Sequence, residues 1–362
     1  MEKVLKRSLD ESIEWIIKTK REIGGSAAQF SLFNGWSNPY PETTGYIIPT
    51  LLNYGNSHNN DTSIQIAVDF GEWLLEIQSD LGYWNGGLHP PKKENPSIFN
   101  TGQILFGMHA LYEYTRDKKW LEAGFKGGEW LADGVGKSGL WDDGHYNDFN
   151  PTYYTRVAWP MLIMGKATNN DIIKNKAIAV LDTLLQRKHE SGTFDGWEFS
   201  TGKPAFTHTI SYTVRGFIES SLILEDWERY GKPLEKTMNK LYRMAELNNG
   251  RLAGAYYKDW KPVKYYTCLT GNAQVALGLL RRHQYNPDLR LVNAGSKLIE
   301  FVCNAQSKGR IIKSTKGAIA GSKPLWGRYI MFRYPNWAAK FYADSIMLLS
   351  EVMKKEKSFE RT

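Results

Sequence analysis

The sequence predicts an all-α protein with the (α/α)6 barrel fold, in which six inner helices form a ring inside six outer helices. The first observation behind this prediction is a turn motif, Gly-x-aromatic or a degenerate form of it, whose copies lie 53 to 62 residues apart. Its five copies are Gly82-Tyr83-Trp84, Gly139-Leu140-Trp141, Gly192-Thr193-Phe194, Gly254-Ala255-Tyr256 and Gly309-Arg310-Ile311. A regular period of this length indicates repeated supersecondary units.

The second observation is a threonine that keeps step with the turn motif. It opens the more apolar helix of each unit, and three of the five copies read Thr-Gly; the threonines are Thr44, Thr101, Thr155, Thr209 and Thr270. Because the two series advance together, each unit is predicted to contain an outer helix, a glycine turn, a polar loop and an inner helix.

Hydrophobic periodicity places the twelve helices. Outer helices are predicted near 3–22, 62–78, 118–133, 171–189, 233–248 and 287–305, and inner helices near 42–54, 100–115, 152–167, 207–224, 267–283 and 336–353. Asn100 and the Asn150-Pro151 pair are expected to start inner helices. The inner helices are apolar on nearly all sides, as buried helices are. Close packing is expected at their small residues, Gly102, Gly107, Gly216, Gly271 and Gly278. Six hairpins close without an open edge, so residues 1–362 are predicted to form a single domain.

Composition argues against several classes of protein. Cys268 and Cys303 are the two cysteines of the 362 residues, too few for a disulfide framework or a Cys-x-x-Cys zinc site. The sequence begins without the apolar core of a signal peptide and has no window suited to a membrane span, so a cytoplasmic location is expected. The net charge of +8 is scattered, which favours an anionic sugar or simple solubility over nucleic acid. No metal ion or cofactor is expected, and the oligomeric state stays open.

In such a ring, the loops that lead into the inner helices meet at one face, which we call the mouth. They are predicted at 23–41, 79–99, 134–151, 190–206, 249–266 and 306–335, and they are long, polar and rich in aromatic residues. The inner helices direct the positive ends of their dipoles and their free N–H groups to the same face. Long loops on a rigid scaffold are a usual position for functional residues, so we expect a carbohydrate cleft at the mouth.

Carboxylates reach the mouth in three places, which are the start of the first inner helix and the third and fourth mouth loops. They are Glu42, then Asp142, Asp143 and Asp148, then Asp195 and Glu198. Glycoside hydrolysis needs an acid that protonates the leaving oxygen and a second carboxylate that activates water or attacks carbon. The predicted catalytic acids are Asp143, Asp195, Glu198 and Glu42. Aromatic neighbours favour Asp143 and Asp195, although each acid could instead form a cap or a turn.

One inner helix carries three polar groups on a single face. His208, Tyr212 and Arg215 have the spacing i, i+4, i+7, with Arg156 expected on the neighbouring inner helix. A His or Tyr base, with an Arg that neutralises a carboxylate, suits removal of the proton beside a uronate carboxyl group. His208 and Tyr212 are therefore alternative catalytic residues. A polar network that joins two helices explains the same pattern, because unpaired polar groups are costly to bury.

Aromatic and cationic side chains of the mouth are the predicted sugar-binding groups, because ring faces pack on sugars and cations bind uronates. They are Trp36, Trp84, Trp141, Tyr154, Arg156, Trp197, Arg215, Trp326 and Arg328. The last mouth loop also holds Lys313, Lys316, Lys323 and Arg333. The aromatic rings could instead fill the barrel, and the basic loop could simply be solvated.

The repeated outer helix, Gly-x-aromatic turn and Thr-Gly inner helix resemble the six-hairpin glycosidase-like barrels. These include unsaturated glucuronyl hydrolases, rhamnogalacturonyl hydrolases and N-acylglucosamine 2-epimerases. Gly139-Leu140-Trp141-Asp142-Asp143, followed by Thr152-Tyr153-Tyr154-Thr155, is similar to the corresponding stretch of the unsaturated uronyl hydrolases. The resemblance implies a single-domain, metal-free hydrolase with an aspartate at the mouth, here Asp143. The chain also resembles barrel proteins encoded with bacterial surface-polysaccharide genes, which implies a biosynthetic glycan.

Three functions follow, in order of preference. The first is a glycoside hydrolase that acts on an acidic, uronate-containing oligo- or polysaccharide. The second is a uronate lyase or epimerase that uses His208, Tyr212 and Arg215. The third is a glycan-binding protein without catalytic activity.

Overall fold

The computed structural model describes residues 2–144 and 149–359, with side chains up to residue 356. Twelve α-helices lie in these ranges. The outer helices are α1 (Glu2–Ile17), α3 (Asp61–Glu76), α5 (Lys118–Asp133), α7 (Asp171–Leu185), α9 (Glu235–Leu247) and α11 (Leu289–Cys303). The inner helices are α2 (Pro41–His58), α4 (Ile98–Thr115), α6 (Thr155–Ala167), α8 (Thr207–Ile223), α10 (Leu269–Tyr285) and α12 (Asn336–Phe359). All twelve predicted helices are therefore confirmed.

The inner helices close into a ring. Each one packs against the next along the chain, from α2 to α12, and α12 packs back against α2. Outer helices cover this ring from outside: α3 packs on α2, α5 on α4, α7 on α6, α11 on α10, and α1 on α12. The predicted (α/α)6 barrel is confirmed. None of the helices within the described residues is long and apolar enough to cross a membrane.

Glycines set how closely neighbouring inner helices approach. A Cβ atom added to Gly45 of α2 would lie 2.6 Å from the Cα of Ile104 of α4, and one on Gly107 would lie 2.5 Å from the Gly45 carbonyl oxygen. Added Cβ atoms would likewise stand 2.3 to 2.8 Å from a neighbouring helix at Gly102, Gly216 and Gly271. The expected close packing is confirmed at these positions. Gly278 differs, since the nearest atoms would be 4.0 Å away.

Four of the five glycine turns pack against the following outer helix. Gly82, Gly139 and Gly192 have φ angles of +98°, +78° and +83°, which residues other than glycine rarely adopt. In the next turn, the left-handed residue is Gly250 (φ +77°), and not the predicted Gly254, which has no positive φ. A Cβ on Gly250 would lie 2.1 Å from the carbonyl oxygen of Lys297 of α11, so this glycine, like the other three, lets the turn touch the next outer helix.

Two of the five repeated threonines make the same contact. Thr44 and Thr101 accept a hydrogen bond from the backbone N–H of Ser26 and Trp84, each at 3.0 Å, and so tie each mouth loop to its inner helix. The start of α4 differs from the expectation. Ser97 is its N-cap, and Asn100 lies within the helix and donates to the carbonyl oxygen of Asn85.

Short antiparallel strands join the mouth loops to one another. One sheet has the order β2-β1-β8, with β1 (Gln29–Ser31), β2 (Gly35–Trp36) and β8 (Arg333–Pro335), and it connects the first and last mouth loops. A second sheet contains β3 (Ala205–Phe206), β4 (Ala255–Tyr256) and β5 (Pro262–Val263), and β6 (Thr267–Cys268) pairs with β7 (Ser322–Lys323). The loops therefore form a connected layer above the inner-helix N-termini.

The glycine contacts predict a difference between two alanine substitutions. Gly45→Ala places a methyl group against the backbone of α4, and we expect a loss of about 1–3 kcal/mol in the free energy of unfolding. Gly278→Ala is the matched control in another inner helix. It has room for the methyl group, so its stability should be unchanged or up to about 1 kcal/mol higher through helix propensity. Urea denaturation measures both, and equal effects would contradict the packing argument.

Candidate active site at the mouth of the barrel

Glu42 lies in the first turn of α2, at the mouth end of the ring. Its side chain is buried, and burial raises the pKa of its carboxyl group to about 7; a hydrogen bond from Tyr40 and the charge of Arg156 act in the opposite direction. At neutral pH the protonated and ionised forms are therefore both populated. A carboxyl group of this kind can donate or accept a proton.

Two tyrosines lie beneath Glu42. Tyr46 stands one helical turn after it on α2, and its side chain shares a hydrogen bond with Tyr212 of α8. Burial raises the pKa of both phenols, and the nearby Glu42 carboxylate adds to the effect. Both phenols consequently keep their protons at neutral pH. Together they provide hydrogen-bond donors, and not bases, at the floor of the site.

Arg156 of α6 occupies an aromatic cage under the mouth. Its guanidinium centre lies 4.8–5.8 Å from the ring centroids of Phe106, Trp159, Tyr212 and Phe341. Its Nε and Nη2 groups donate to Gln103 Oε1 at 3.2 and 2.9 Å, and it forms no ion pair among the described residues. Burial lowers its pKa to about 10, so it remains a cation at neutral pH. A buried cation whose partners are a neutral amide and aromatic ring faces can bind an anion.

His208 begins the polar face of α8, as predicted. Its Nδ1 is 2.8 Å from the carbonyl oxygen of Gln274, which can only accept, so Nδ1 carries the proton and Nε2 keeps a lone pair. Burial lowers the pKa of His208 to about 3, so the imidazole is neutral at physiological pH. The rings of Tyr212 and Tyr329 lie 4.2 and 5.2 Å from it and cover it.

Deeper in the ring, the charged groups are paired. Lys340 of α12 bonds Asp344 one turn away, at 2.5 Å, and Asp344 also accepts from Thr50. Arg215 does not face the mouth as a free cation. It donates to Glu219 at 2.7 Å, and Arg281 of α10 binds the same carboxylate. The predicted role of Arg215 as a sugar-binding group therefore has no support from its position, and of Arg215 and Arg156 it is Arg156 that forms no ion pair among the described residues.

The other predicted acids differ in their surroundings. Asp143 and its neighbour Asp142 are exposed. Asp195 is half exposed and bonds both His189 and Lys258, which hold the pKa of this carboxyl group below its ordinary value. Glu198, by contrast, is buried, with 4% of its surface exposed. Asp148 lies outside the described residues.

The predicted sugar-binding residues of the mouth differ in how far they are exposed. Trp84, Trp141, Trp197 and Tyr154 are buried in the barrel packing; the indole N–H of Trp84 donates to Leu74 and that of Trp141 to Leu131. Trp36 is half-buried and packs against Trp15, Phe30 and Arg21. Trp326 and Arg328, by contrast, are exposed on the last mouth loop. Packing accounts for the buried and half-buried side chains, whereas solvent reaches Trp326 and Arg328.

The structure brings Glu42 together with Arg156, His208 and Tyr212, whereas the sequence analysis had placed Glu42 in a separate group of carboxylates. It adds residues that the sequence analysis missed, namely Tyr46, Gln103, Gln274, Phe341 and Asp344. Tyr46 could have been found, because it is four residues from Glu42 on the same helix face. No group of three or more His, Cys, Asp and Glu residues in 2–144 and 149–359 is arranged to hold a metal ion.

The raised pKa of Glu42 predicts a pH-dependent cost to stability. Between its ordinary value of 4.5 and about 7, the unfolded chain ionises Glu42 while the folded chain keeps it protonated, so stability falls as pH rises through this window. Glu42→Gln removes this loss, and the variant should gain about 3 kcal/mol relative to the unchanged protein between pH 4 and 8. Denaturant titrations at several pH values measure it. Asp143→Asn, at an exposed carboxylate, is the control and should show no such trend; an identical trend in both variants would contradict the assignment.

No family model matches the sequence, and no curated protein matches it significantly. Solved structures do match over nearly the full length. An unsaturated glucuronyl hydrolase specific for heparin is 15% identical, with a TM-score of 0.75 over 98% of this chain and 99% of that chain. The unsaturated glucuronyl hydrolase from Bacillus sp. GL1, responsible for the degradation of glycosaminoglycan, is 11% identical, with a TM-score of 0.75 over 95% and 96%.

A sugar epimerase has the same architecture. Cellobiose 2-epimerase from Bacillus thermoamylovorans is 12% identical, with a TM-score of 0.73 over 96% of this chain and all 100% of that chain. At these identities the similarity establishes the fold. The chain therefore has the (α/α)6 barrel fold that these hydrolases and this epimerase share.

Proposed function

We propose that the protein is a glycan-processing enzyme, and specifically a glycoside hydrolase that acts on uronate-containing oligosaccharides. The observation that carries the proposal is the buried Glu42, whose pKa of about 7 suits a general acid at neutral pH. It stands at the mouth end of a ring whose fold is that of unsaturated glucuronyl hydrolases. Glu42 would protonate the oxygen of the leaving sugar, and a second carboxylate would activate water.

The second carboxylate is proposed to be Asp143 or Glu198. Asp143 is exposed on the third mouth loop and open to solvent, and Glu198 is buried in the fourth. Asp195 is the weaker candidate, because its bonds to His189 and Lys258 compete with a reacting water.

An acidic substrate follows from Arg156. A buried guanidinium without an ion pair is costly, and a uronate carboxylate that enters the site would offset this cost. The cage around it leaves Gln103 as the neutral partner that holds it in place. Arg156 is therefore the proposed binding group for the sugar carboxylate.

The sugar reaches these groups only if the cover over His208 opens. Tyr329 packs on His208 and accepts a hydrogen bond from Trp337 at 2.8 Å, and Glu42, Arg156 and His208 are all buried. We infer that the part of the last mouth loop that carries Tyr329 moves when substrate enters. A cytoplasmic location is also proposed, supported by two buried cysteines that are both free thiols.

Glu42→Gln tests the assignment directly. With unsaturated disaccharides of heparin as the probe, we expect kcat/KM to fall by about 100-fold or more, because general acid catalysis contributes this much. In the unchanged protein, kcat/KM should fall as pH rises through about 7, since only protonated Glu42 donates. Release of the unsaturated sugar is measured by the loss of its ultraviolet absorbance.

Two further carboxamide variants test the other aspartates, and Asp195→Asn is the control. Asp143→Asn should reduce turnover if Asp143 positions the water, whereas Asp195→Asn should leave it within a few-fold. Binding of the disaccharide without turnover by the unchanged protein would contradict a hydrolase and favour a glycan-binding protein.

Arg156 predicts charge selectivity. Arg156→Gln should lower kcat/KM about 10- to 100-fold for the uronate substrate, which is the range of a charge-assisted hydrogen bond, and little for its carboxyl-reduced analogue. Arg156→Lys keeps the charge and should retain part of the selectivity. Equal losses on both substrates would show that Arg156 acts on the fold alone.

His208 favours a second candidate, which is a sugar or uronate epimerase or lyase. Its Nε2 lone pair could remove a carbon-bound proton, while Tyr212 donates. Incubation in D2O separates the candidates. With a saturated uronate disaccharide as substrate, epimerisation places deuterium on a sugar carbon, elimination creates a new ultraviolet-absorbing double bond, and hydrolysis does neither.

A further inference from the structure

The outer face of the mouth carries an apolar patch built from two neighbouring loops. The backbone N–H of Leu32 donates to the carbonyl oxygen of Phe332, and the N–H of Phe332 donates to Leu325. The rings of Phe33 and Phe332 lie 5.6 Å apart. These contacts bring together the chain segments that carry Phe33, Trp326 and Met331, whose side chains are 77%, 64% and 50% exposed.

The same loop is strongly basic. Residues 306–335 contain seven lysines and arginines and no aspartate or glutamate. Three of these cations, Lys323, Arg328 and Arg333, belong to the segment that holds Trp326 and Met331, and all three are exposed. None of the three forms an ion pair within the part of the chain that the structure describes. We call Phe33, Trp326 and Met331, with Lys323, Arg328 and Arg333, the rim patch.

We propose that the rim patch docks the protein on an anionic lipid bilayer. Exposed Trp and Phe side chains partition into the interface between water and lipid, and Met331 adds flexible apolar surface. Unpaired cations beside them are attracted to anionic headgroups, and the attraction of each cation contributes to binding at physiological salt. Neither component suffices alone for firm binding, and the rim patch has both.

A sugar chain is a weaker explanation for this surface. Glycan binding uses flat rings with polar partners that meet the hydroxyl groups, whereas the apolar members of the rim patch project into solvent and include an unbranched aliphatic thioether. The three cations fit either a lipid headgroup or a uronate, so the apolar side chains decide between the two.

The rim patch also defines an orientation. Tyr329, in the same loop, is buried and packs on His208, while Trp326 and Arg328 are exposed. A bilayer bound at the rim patch would thus lie beside the mouth, and the glycan would be presented from the membrane side. This docking does not depend on which reaction the site performs.

Vesicle sedimentation tests the proposal with the full chain. We expect binding to vesicles of phosphatidylglycerol and phosphatidylcholine in equal parts, and at least about tenfold weaker binding to pure phosphatidylcholine. Added salt should weaken the binding. Phe33→Ser with Trp326→Ser, or Arg328→Gln with Arg333→Gln, should each weaken it about tenfold or more.

Matched variants elsewhere control for general changes in charge and hydrophobicity. Ile172→Ser with Leu247→Ser removes comparably exposed apolar side chains from outer helices, and Lys236→Gln with Lys240→Gln removes two exposed cations from α9. Both should bind vesicles like the unchanged protein, and circular dichroism verifies the fold of all variants.

Several results would overturn the proposal. They are absence of binding to the anionic vesicles at low salt, equal effects of patch and control variants, and a concentration-dependent dimer that the patch substitutions abolish. A fourth is binding to soluble alginate that the patch variants lose while vesicles remain unbound, which would assign the rim patch to a polyuronate. Vesicle binding needs no turnover, so its failure is distinguishable from failure of the proposed hydrolase activity.

Discussion

The close approach of the six inner helices is the constraint on which the rest of the structure depends. Gly45 and Gly107 bring α2 and α4 together until backbone atoms nearly touch, and Gly102, Gly216 and Gly271 do the same for later neighbours. A ring this narrow has its centre filled by side chains from all six helices, with little room for water. Polar groups at the mouth end are therefore largely desolvated, and desolvation is the first cause of the shifted pKa values of Glu42, His208 and Arg156.

The effect of desolvation on the pKa values differs along the ring, because the buried groups have different charged partners. Near the bottom, Glu219 binds two arginines, and their charges overcome burial and lower its pKa. Lys340 has Asp344, and burial still lowers its pKa to about 8. At the mouth, Glu42 has only a tyrosine hydroxyl as a direct partner, so burial prevails. The fold thus separates a structural set of ion pairs from a set of mouth groups that remain available for chemistry.

The sequence predicted the barrel because its evidence is periodic and local. Glycine turns and helical faces repeat in each unit, and twelve helices follow from them. The ranking of the acids was less informative. Aromatic neighbours favoured Asp143 and Asp195, yet depth in the ring distinguishes Glu42, and depth depends on contacts between distant helices. Asp195 shows the same limit, because its partner Lys258 comes from another mouth loop.

Some of the site residues that the sequence analysis missed could have been found from their spacing along the chain, and others could not. Tyr46 follows Glu42 by four residues, so the reasoning that grouped His208 with Tyr212 would have found it. Gln103 and Gln274 could not be found this way, since their roles depend on how α4 and α10 are rotated within the ring. The tryptophans of the turn motif show the converse error. Their matching positions reflect a packing role that is repeated in two units, because Trp84 and Trp141 each use the indole N–H to bind the end of the preceding outer helix.

The neutral partner of Arg156 is as informative as its charge. If Glu42 formed an ion pair with Arg156, its carboxyl group would be ionised at neutral pH and could not donate a proton. The charge of Arg156 would then be balanced by Glu42 and could not bind another anion. Gln103 instead fixes Arg156 through its amide oxygen without cancelling the charge. Arg156 remains close enough to favour ionised Glu42, but burial outweighs this effect. An incoming anion would reduce the field of Arg156 at Glu42 and raise the proton affinity of the acid further. Under the proposed function, the charge of the substrate and the protonation of Glu42 would thereby be coupled through Arg156.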